Sequence, residues 1–478
     1  MRGADRWCRA VCLVLLGFAI ATAGEAQATG QPAGPSADLN VETFDFAWRK
    51  IADTFWDQSM GGVDWQAVGD ELRPRARAAA NNAELRLVLQ DMLSRLGQSH
   101  FGVLPGPGSV ESPSPVDESG DSGGCTRALM RAVAGAGGSA ASDAGPGFDV
   151  RHIDSMLIVS RVEPGSSADR QGLRTGLELV RVENQDLAPL AACLELESLD
   201  PWVAGMVRLR AVEGLLHGDA GDPVAVEFAD QTGDRSMFEL ERAHHPDAVE
   251  LGFGNLPKMQ YLFETEVLET GAGRVLAVRF NVWLIPVIEA FEAALYGEPA
   301  EGAPAVDGVL IDLRGNPGGV AGTAVGVAGY LLGDRVLLGK MKNRNTELNL
   351  NVYPRQVSSA GKRIERFAGP VAVLIDGASA STSEIFAAGL QDHGRAWLFG
   401  EPTAAAALPS VIESMPNGDL LMYAIADFER PNGERVEGRP VEPESPVLLT
   451  REGLLAGRDE PREAALAWIV SELEGDGW

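Results

Sequence analysis

The sequence is short of cations, of cysteine and of metal-binding clusters. Against 68 Asp and Glu stand 40 Lys and Arg, a formal net charge of -28 at pH 7, which argues against binding to nucleic acid or anionic lipid. Four cysteines in 478 residues are too few for a disulfide scaffold. Because neither a set of zinc ligands nor a glycine-rich phosphate loop occurs, the sequence predicts no metal and no other cofactor.

Long apolar runs are also scarce, and one of them lies near the N-terminus. Three arginines precede the stretch 10–24, and Ala26-Gln27-Ala28 follows as a small-x-small cleavage site. This pattern is typical of a secretory signal peptide over 1–28. An uncleaved anchor is the alternative, but 10–24 is shorter than the roughly 20 residues that a membrane-spanning helix needs. We therefore expect secretion across the inner membrane, to the periplasm, with no membrane span after cleavage.

The two cysteines that would remain after cleavage are Cys125 and Cys193. In an oxidising compartment they could pair or stay free, and the sequence leaves both alternatives open.

Apolar spacing changes along the chain and predicts a multidomain α/β protein. The chain begins with helical periodicity, which gives way to a Gly/Ser/Pro-rich stretch. Short segments of alternating apolar and polar residues come next, and then a pattern in which predicted strands alternate with predicted helices. The predicted regions are a helical N-terminal domain at 38–105, a flexible linker at 106–146, a β-rich module at 147–246, an α/β core at 266–450 and a C-terminal helical segment at 451–478. The sequence pattern does not indicate a role for residues 194–218.

Within these regions the pattern predicts individual elements. The β-rich module should contain strands at 149–153, 156–162, 178–182, 224–228 and 237–240. The core should contain a mainly parallel sheet, with strands at 275–280, 308–314, 371–375 and 396–399 and helices at 285–295, 321–332 and 383–390.

One turn of the predicted core is a candidate for nucleophilic chemistry. The strand ending at Asp376 breaks at Gly377 into Ala378-Ser-Ala-Ser-Thr-Ser-Glu384, and a helix follows. A serine at a helix N-terminus lies beside backbone N–H groups and a helix dipole that stabilise a developing oxyanion. Ser381 could equally be an ordinary helix cap.

Three segments together carry a family resemblance. Ser379-Ala-Ser-Thr-Ser-Glu and the residues to Ala396, Gly400-Glu-Pro-Thr403 and Ile311-Asp-Leu-Arg-Gly-Asn-Pro-Gly-Gly319 resemble the carboxy-terminal processing (tail-specific) protease family, which includes the tricorn core protease. The resemblance implies a crotonase-like α/β core and a serine-type peptidase. It also implies that the partners are unfolded or C-terminally exposed polypeptides.

The resemblance also implies roles for single residues. Ser381 would be the nucleophile, and the oxyanion donors would be backbone N–H groups of Gly318 or Gly319 and of Thr382. Glu384, Asp392 and Thr403 match supporting positions, for which capping and core hydrogen bonds are an equal alternative.

At the position of the general base, this sequence differs from the Ser/Lys members of the family. Gly-Glu-Pro-Thr is followed by four alanines, so Ala406 stands where the lysine belongs, and no lysine follows Lys362. In the tricorn-like branch the base is a histidine that follows a serine at the end of the helical domain, and 92–101 matches that element. The resemblance thus implies the catalytic set His100, Ser99 and Glu437, the last in a segment, 436–444, that resembles the family's acidic element. His393 is the rival base.

A second resemblance concerns the β-rich module. Gly147-Phe148-Asp149-Val150 and 162–173 look like a PDZ domain of secreted bacterial proteases. This likeness implies that backbone N–H groups of Gly147 to Val150 bind a peptide's terminal carboxylate while the peptide adds as a strand. The alternative is a PDZ-shaped spacer that binds nothing.

The sequence therefore predicts a secreted serine endopeptidase with PDZ-assisted substrate capture. The alternative is a peptide-binding scaffold that lost activity with its base, and a non-peptide esterase is a weaker third possibility.

Overall fold

The computed structural model describes residues 36–106, 144–188, 212–252, 258–297 and 300–475. The predicted signal peptide 1–28, nearly all of the predicted linker, Cys125, Cys193 and most of 194–218 lie outside the described residues. The chain divides into two units. One comprises Met1–His245, Glu250–Gln260 and Pro409–Ala426, and the other comprises Pro246–Val249, Tyr261–Leu408 and Asp427–Trp478.

The first unit begins with three helices, α1 (Ala37–Thr54), α2 (Trp65–Ala78) and α3 (Asn82–Ser94). A single 3-10 turn, Met60–Gly62, lies between the first two. Each helix begins after a residue whose side chain accepts a backbone N–H of the first turn, which satisfies a donor that the helix leaves open: Ser36, Asp64 and Asn81. The helices bury their apolar faces against one another, as predicted from the sequence.

A short strand, β1 (Gly102–Leu104), follows α3, and an antiparallel sheet comes next along the chain. Its order is β2-β3-β4-β6-β7, with β5 paired to β4. The strands are β2 (Phe148–Ile153), β3 (Met156–Val162), β4 (Glu178–Val182), β5 (Gln185–Asp186), β6 (Pro223–Ala229) and β7 (Arg235–Glu241). The five strands predicted from alternating patterns are thereby confirmed. One helical turn, α4 (Ser167–Arg170), follows β3, and another lies at 212–216.

Two short strands, β8 (Val249–Leu251) and β9 (Met259–Tyr261), pair in the segment of chain between β7 and the second unit's main sheet. That main sheet has five strands. β10 (Phe263–Glu269) is antiparallel to β11 (Arg274–Phe280), whereas β11, β12 (Gly308–Asp312), β15 (Val371–Ile375) and β16 (Trp397–Gly400) are parallel neighbours. The predicted mainly parallel sheet is confirmed.

Helices cover this sheet because its central strands are apolar on both faces. All five residues of β15 are fully buried. The helices are α5 (Pro286–Tyr296), α6 (Ala321–Leu331), α7 (Thr382–Asp392), α8 (Arg451–Leu455) and α9 (Glu460–Glu474). Ala465 and Ile469 of α9 join one core cluster with residues of β11, β12 and β15. A second, antiparallel sheet consists of β13 (Val336–Lys342), β14 (Glu347–Val352) and β19 (Asp427–Glu429).

One predicted boundary was wrong, because the range 266–450 does not form one unit. Its hairpin, β17 (Ser410–Ser414) and β18 (Leu420–Ala424), belongs to the first unit, where β18 pairs antiparallel with β1. Arg86 of α3 binds the Asp419 carboxylate through Nε at 2.9 Å and Nη2 at 3.0 Å, and Asp419 is 1% exposed. Pairing between strands more than 300 positions apart leaves no local sequence signal. In the described part of the chain, no helix is long and apolar enough to cross a membrane.

Candidate active site

The turns that follow β12 and β15 lie at the same edge of the sheet, because the two strands are parallel neighbours. The first turn carries Gly315 to Gly319, and the second runs from Asp376 to Ser381. The Asp376 carboxylate joins them, since Oδ1 accepts the Gly315 N–H at 2.9 Å and the Ala378 N–H at 3.0 Å. Two motifs whose joined residues are 61 positions apart in sequence therefore form one local structure.

Ser381 lies at the first residue before α7, with φ 54° and ψ -115°. A non-glycine residue in this region is strained by about 1–3 kcal/mol, and such strain clusters at functional sites. Its N–H donates to the Ala406 carbonyl at 2.8 Å and to Glu384 Oε2 at 3.0 Å. These two acceptors hold the serine in the strained conformation.

Gly318 packs directly against the serine. A Cβ at this position would lie 2.6 Å from Ser381 Cβ and 2.8 Å from Thr382 N, and the backbone has φ 102°. Both the contact and the conformation require glycine. The glycine loop can therefore approach the helix N-terminus as closely as it does only without a side chain.

The hydrogen bonds of this loop distinguish between the two predicted glycine donors. The Gly318 N–H already donates to Asn316 Oδ1 at 3.0 Å. Gly319 pairs in parallel with Trp283, so its own N–H and C=O face away from Trp283, and its C=O accepts from Thr382 Oγ1 at 2.9 Å. Across the described ranges, neither the Gly319 nor the Thr382 N–H has a hydrogen-bond acceptor. Of the two predicted alternatives, Gly319 is therefore the glycine whose N–H has no acceptor among the described residues.

Glu384 and Thr403 join the turn that carries the serine. Glu384 is fully buried and accepts four hydrogen bonds, from the N–H groups of Ser381, Ala405 and Ala406 and from Thr403 Oγ1. Burial raises the pKa of Glu384 to about 8, opposed by these hydrogen bonds and assisted by the nearby Glu437 carboxylate. The Glu384 side chain thus ties the alanine loop to the serine's backbone.

Asp392 and His393 lie at the other end of α7. Twelve positions along a helix correspond to about 18 Å, so His393 cannot reach Ser381 and is excluded as the base. Its Nε2 lies 2.8 Å from the Leu337 carbonyl oxygen. Asp392 forms a two-point ion pair with Arg430, at 2.7 and 3.0 Å. The structure therefore does not bring Asp392 to the serine, and its contacts are those of a structural ion pair.

The alanine loop also contacts Glu437. The Ala407 N–H donates to Glu437 Oε2 at 3.2 Å, and the Gly438 N–H donates to the Ala405 carbonyl at 2.8 Å. The sequence singled out this loop only for the absent lysine. Its backbone instead binds Ser381 and two carboxylates, and backbone contacts of this kind carry no residue-specific signal that a sequence could reveal.

Ser99 and His100 belong to the first unit, between α3 and β1. Ser99 Oγ lies 2.7 Å from His100 Nδ1, and both residues are buried. His100 has φ 60°. Burial lowers the pKa of His100 to about 3, so the ring is neutral at physiological pH and one ring nitrogen has a lone pair to accept a proton.

The predicted peptide-binding residues begin the edge strand of the antiparallel sheet. Gly147 has φ 86°, and its carbonyl accepts from the Glu163 N–H at 2.9 Å and from Ser166 Oγ at 3.1 Å. Phe148 and Val150 are buried, whereas Asp149 is partly exposed. β2 is the terminal strand in the order of the described sheet. No group of three or more metal-ligating side chains occurs among the residues described.

Comparisons with known proteins bear on this geometry. Residues 294–447 match the model of peptidase family S41, and residues 41–94 match the model of the tricorn protease C1 domain. Carboxyl-terminal-processing peptidase 2, chloroplastic, of Arabidopsis thaliana is 27% identical over 424 residues, which cover 86% of this chain and 70% of that protein. The carboxyl-terminal-processing protease of Picosynechococcus is 30% identical over 125 residues, 26% of this chain and 28% of that protein.

A solved structure shares the fold. The structure of the photosystem II D1 C-terminal processing protease is similar to that of this chain, with a TM-score of 0.52 and 19% sequence identity. The similarity covers 91% of this chain and 98% of that one. The similarity to the peptidase family model and to carboxyl-terminal-processing proteases defines the class, and the chain is a serine-type peptidase, a hydrolase. More particularly, the comparisons support a carboxyl-terminal-processing peptidase, with residues 294–447 similar to the model of peptidase family S41.

Proposed function

We propose that the chain is a secreted serine endopeptidase in which Ser381 is the nucleophile. The observation that carries this proposal is the strained Ser381 backbone, held beside the N–H groups of Gly319 and Thr382 that have no described acceptor. Ser381 Oγ attacks the scissile carbonyl, and the two N–H groups stabilise the oxyanion of the tetrahedral intermediate.

The proton from Ser381 passes to His100 in this proposal. For Nε2 to accept it, the hydrogen of the neutral ring must be on Nδ1, which then donates to Ser99 Oγ across the 2.7 Å contact. Protonated His100 later donates to the leaving amine, and water releases the acyl group by the reverse steps. A buried imidazolium needs an anionic neighbour, and Glu437 is our candidate to stabilise it, directly or through Ser99.

Substrate capture belongs to the same proposal. An extended C-terminal peptide would add to β2, the terminal strand of the described sheet, with its terminal carboxylate at the N–H groups of Gly147 to Val150. The edge position of β2 and the positive φ of Gly147 support this arrangement. Secretion through 1–28 would place the enzyme in the periplasm, where unfolded or C-terminally exposed polypeptides are the substrates.

The test is peptide release from an unfolded protein with an apolar C-terminus, comparing the wild type with Ser381→Ala. We expect release from the wild type and none from the variant, whereas Ser445→Ala, at a serine outside the site, should retain release. The comparisons do not favour the alternative of an inactive scaffold. Absence of release from the wild type, together with no labelling by a serine-directed fluorophosphonate, would contradict the proposal.

A further inference from the structure

The Ser-Ala-Ser-x-Ser-Glu motif contains two serines besides the nucleophile, and Ser383 makes unusual contacts. Its fully buried hydroxyl accepts the Trp283 Nε1–H at 2.9 Å. It lies 3.0 Å from both the backbone oxygen and Oδ1 of Asn316, and its single hydrogen donates to one of them at a time. Ser379, by contrast, donates to the Leu313 carbonyl.

Asn316 connects this hydroxyl to the glycine loop. Its Nδ2 donates to the Phe280 carbonyl at 2.8 Å, and its Oδ1 accepts the Gly318 N–H at 3.0 Å. Its backbone oxygen accepts the Ala380 N–H at 3.0 Å. One residue therefore holds the end of β11, the glycine loop and the residue before Ser381.

Trp283 acts on the same loop through its backbone. The Trp283 N–H donates to the Gly318 carbonyl at 2.8 Å. In a trans peptide bond the N–H points opposite to the C=O, so this contact sets the direction of the Gly319 N–H. The Trp283 side chain meanwhile binds Ser383 on α7, the helix that supplies the Thr382 N–H. The two donors thus belong to one buried hydrogen-bonded network.

We propose that Ser383 and Trp283 are positioning residues for the oxyanion hole and act through Asn316. This inference rests on the proposed function and deepens it. Because neither side chain touches substrate, loss of their mutual hydrogen bond should slow the chemical step and leave affinity unchanged.

The test is Trp283→Phe, which removes the Nε1–H donor and keeps an aromatic ring beside Phe280 and Phe386. Trp397→Phe is a matched control, since Trp397 Nε1 also donates to a serine, Ser445 Oγ, at 2.9 Å. The readout is fluorophosphonate labelling of the full chain, resolved into its limiting rate kinact and its affinity constant KI. We expect kinact to fall about 10- to 100-fold with KI within about twofold, and the control to label like the wild type.

A double-mutant cycle with Ser383→Ala separates positioning from general destabilisation. Both single variants break the Trp283–Ser383 hydrogen bond, and Ser383→Ala also removes the donor to Asn316. The double variant should therefore label about as slowly as Ser383→Ala alone. Labelling of Trp283→Phe at the control's rate would overturn the inference. The inference would also be overturned if the losses of labelling rate were additive and scaled with the decrease in each variant's thermal unfolding midpoint. A wild type that does not label would overturn the proposed function, and this inference with it.

Discussion

Acidic pH should leave Ser381 reactive well below the pH at which an ordinary histidine becomes protonated. Burial lowers the pKa of His100 from 6.5 to about 3, which corresponds to about 5 kcal/mol against protonation of the folded protein. At pH 5 a histidine of pKa 6.5 would be about 97% protonated, whereas His100 should be about 1% protonated. The proposed base therefore remains available.

The same shift makes folding depend on pH with a defined sign. Below pH 6.5 the unfolded chain binds a proton at His100 and the folded chain does not. Stability from this group is therefore complete above pH 6.5 and falls as the pH drops toward 3, by about 1.4 kcal/mol per pH unit. The difference in unfolding free energy between the wild type and His100→Asn should change with this slope.

The assay is the rate of fluorophosphonate labelling between pH 3.5 and 8, with folding checked by circular dichroism at each pH. We expect no decrease with a midpoint near 6.5. His393→Gln is the control, because that exposed ring lies at the far end of α7 and its loss should leave the profile unchanged. A reversible decrease near pH 6.5 in folded wild type, shared by the control, would refute the burial argument for His100.

Three further outcomes follow from the contacts described above. Gly318→Ala should reduce labelling about 100-fold or more, because its Cβ would lie 2.6 Å from Ser381 Cβ; near-normal labelling would contradict the loop geometry. Asp419→Ala should lower the urea-determined unfolding free energy by about 3 kcal/mol or more, because it removes the buried carboxylate that accepts two hydrogen bonds from Arg86, and a loss below about 1 kcal/mol would show that the pair is not buried in solution. The pKa of Asp312 is lowered to about 2 by its ion pair with Arg314, despite burial. The urea-determined unfolding free energy of the wild type should therefore fall by about 2 kcal/mol more than that of Asp312→Asn as the pH drops from 4 to 2, and an equal fall in both proteins would contradict the lowered pKa.

Much of the α/β architecture was predictable because its signals are local. Apolar runs of five to seven residues bounded by turn residues predicted β11, β12 and β15, and their observed bounds differ from the prediction by at most two residues. The nucleophile motif is contiguous, so the turn around Ser381 was recognisable without the fold. Glu384 and Thr403 were named as supporting residues, and the structure joins both to that turn.

Other features could not be predicted, because they depend on contacts between distant segments. The hairpin Pro409–Ala426 carries ordinary strand patterns, and only its pairing with β1 assigns it to the first unit. Asp392 occupies a family position like Thr403, yet the length of α7 separates it from the serine. The sequence motif includes Ser383 but indicates no role for it. The role depends on its hydrogen-bond partners Asn316 and Trp283, which lie about 70 and 100 positions away.

The sequence by itself determined the residue types that the chemistry needs and the local turns that present them: the serine before a helix, the glycine loop after a strand, and the absence of a lysine at Ala406. Only the tertiary structure decided which groups have a hydrogen-bond partner. It assigned the Gly318 N–H to Asn316, left the N–H groups of Gly319 and Thr382 without an acceptor in the described chain, and excluded His393 by distance. The physical reason is that residue identity and backbone propensity act over a few positions, whereas hydrogen-bond partners and burial are set by the packing of segments hundreds of positions apart.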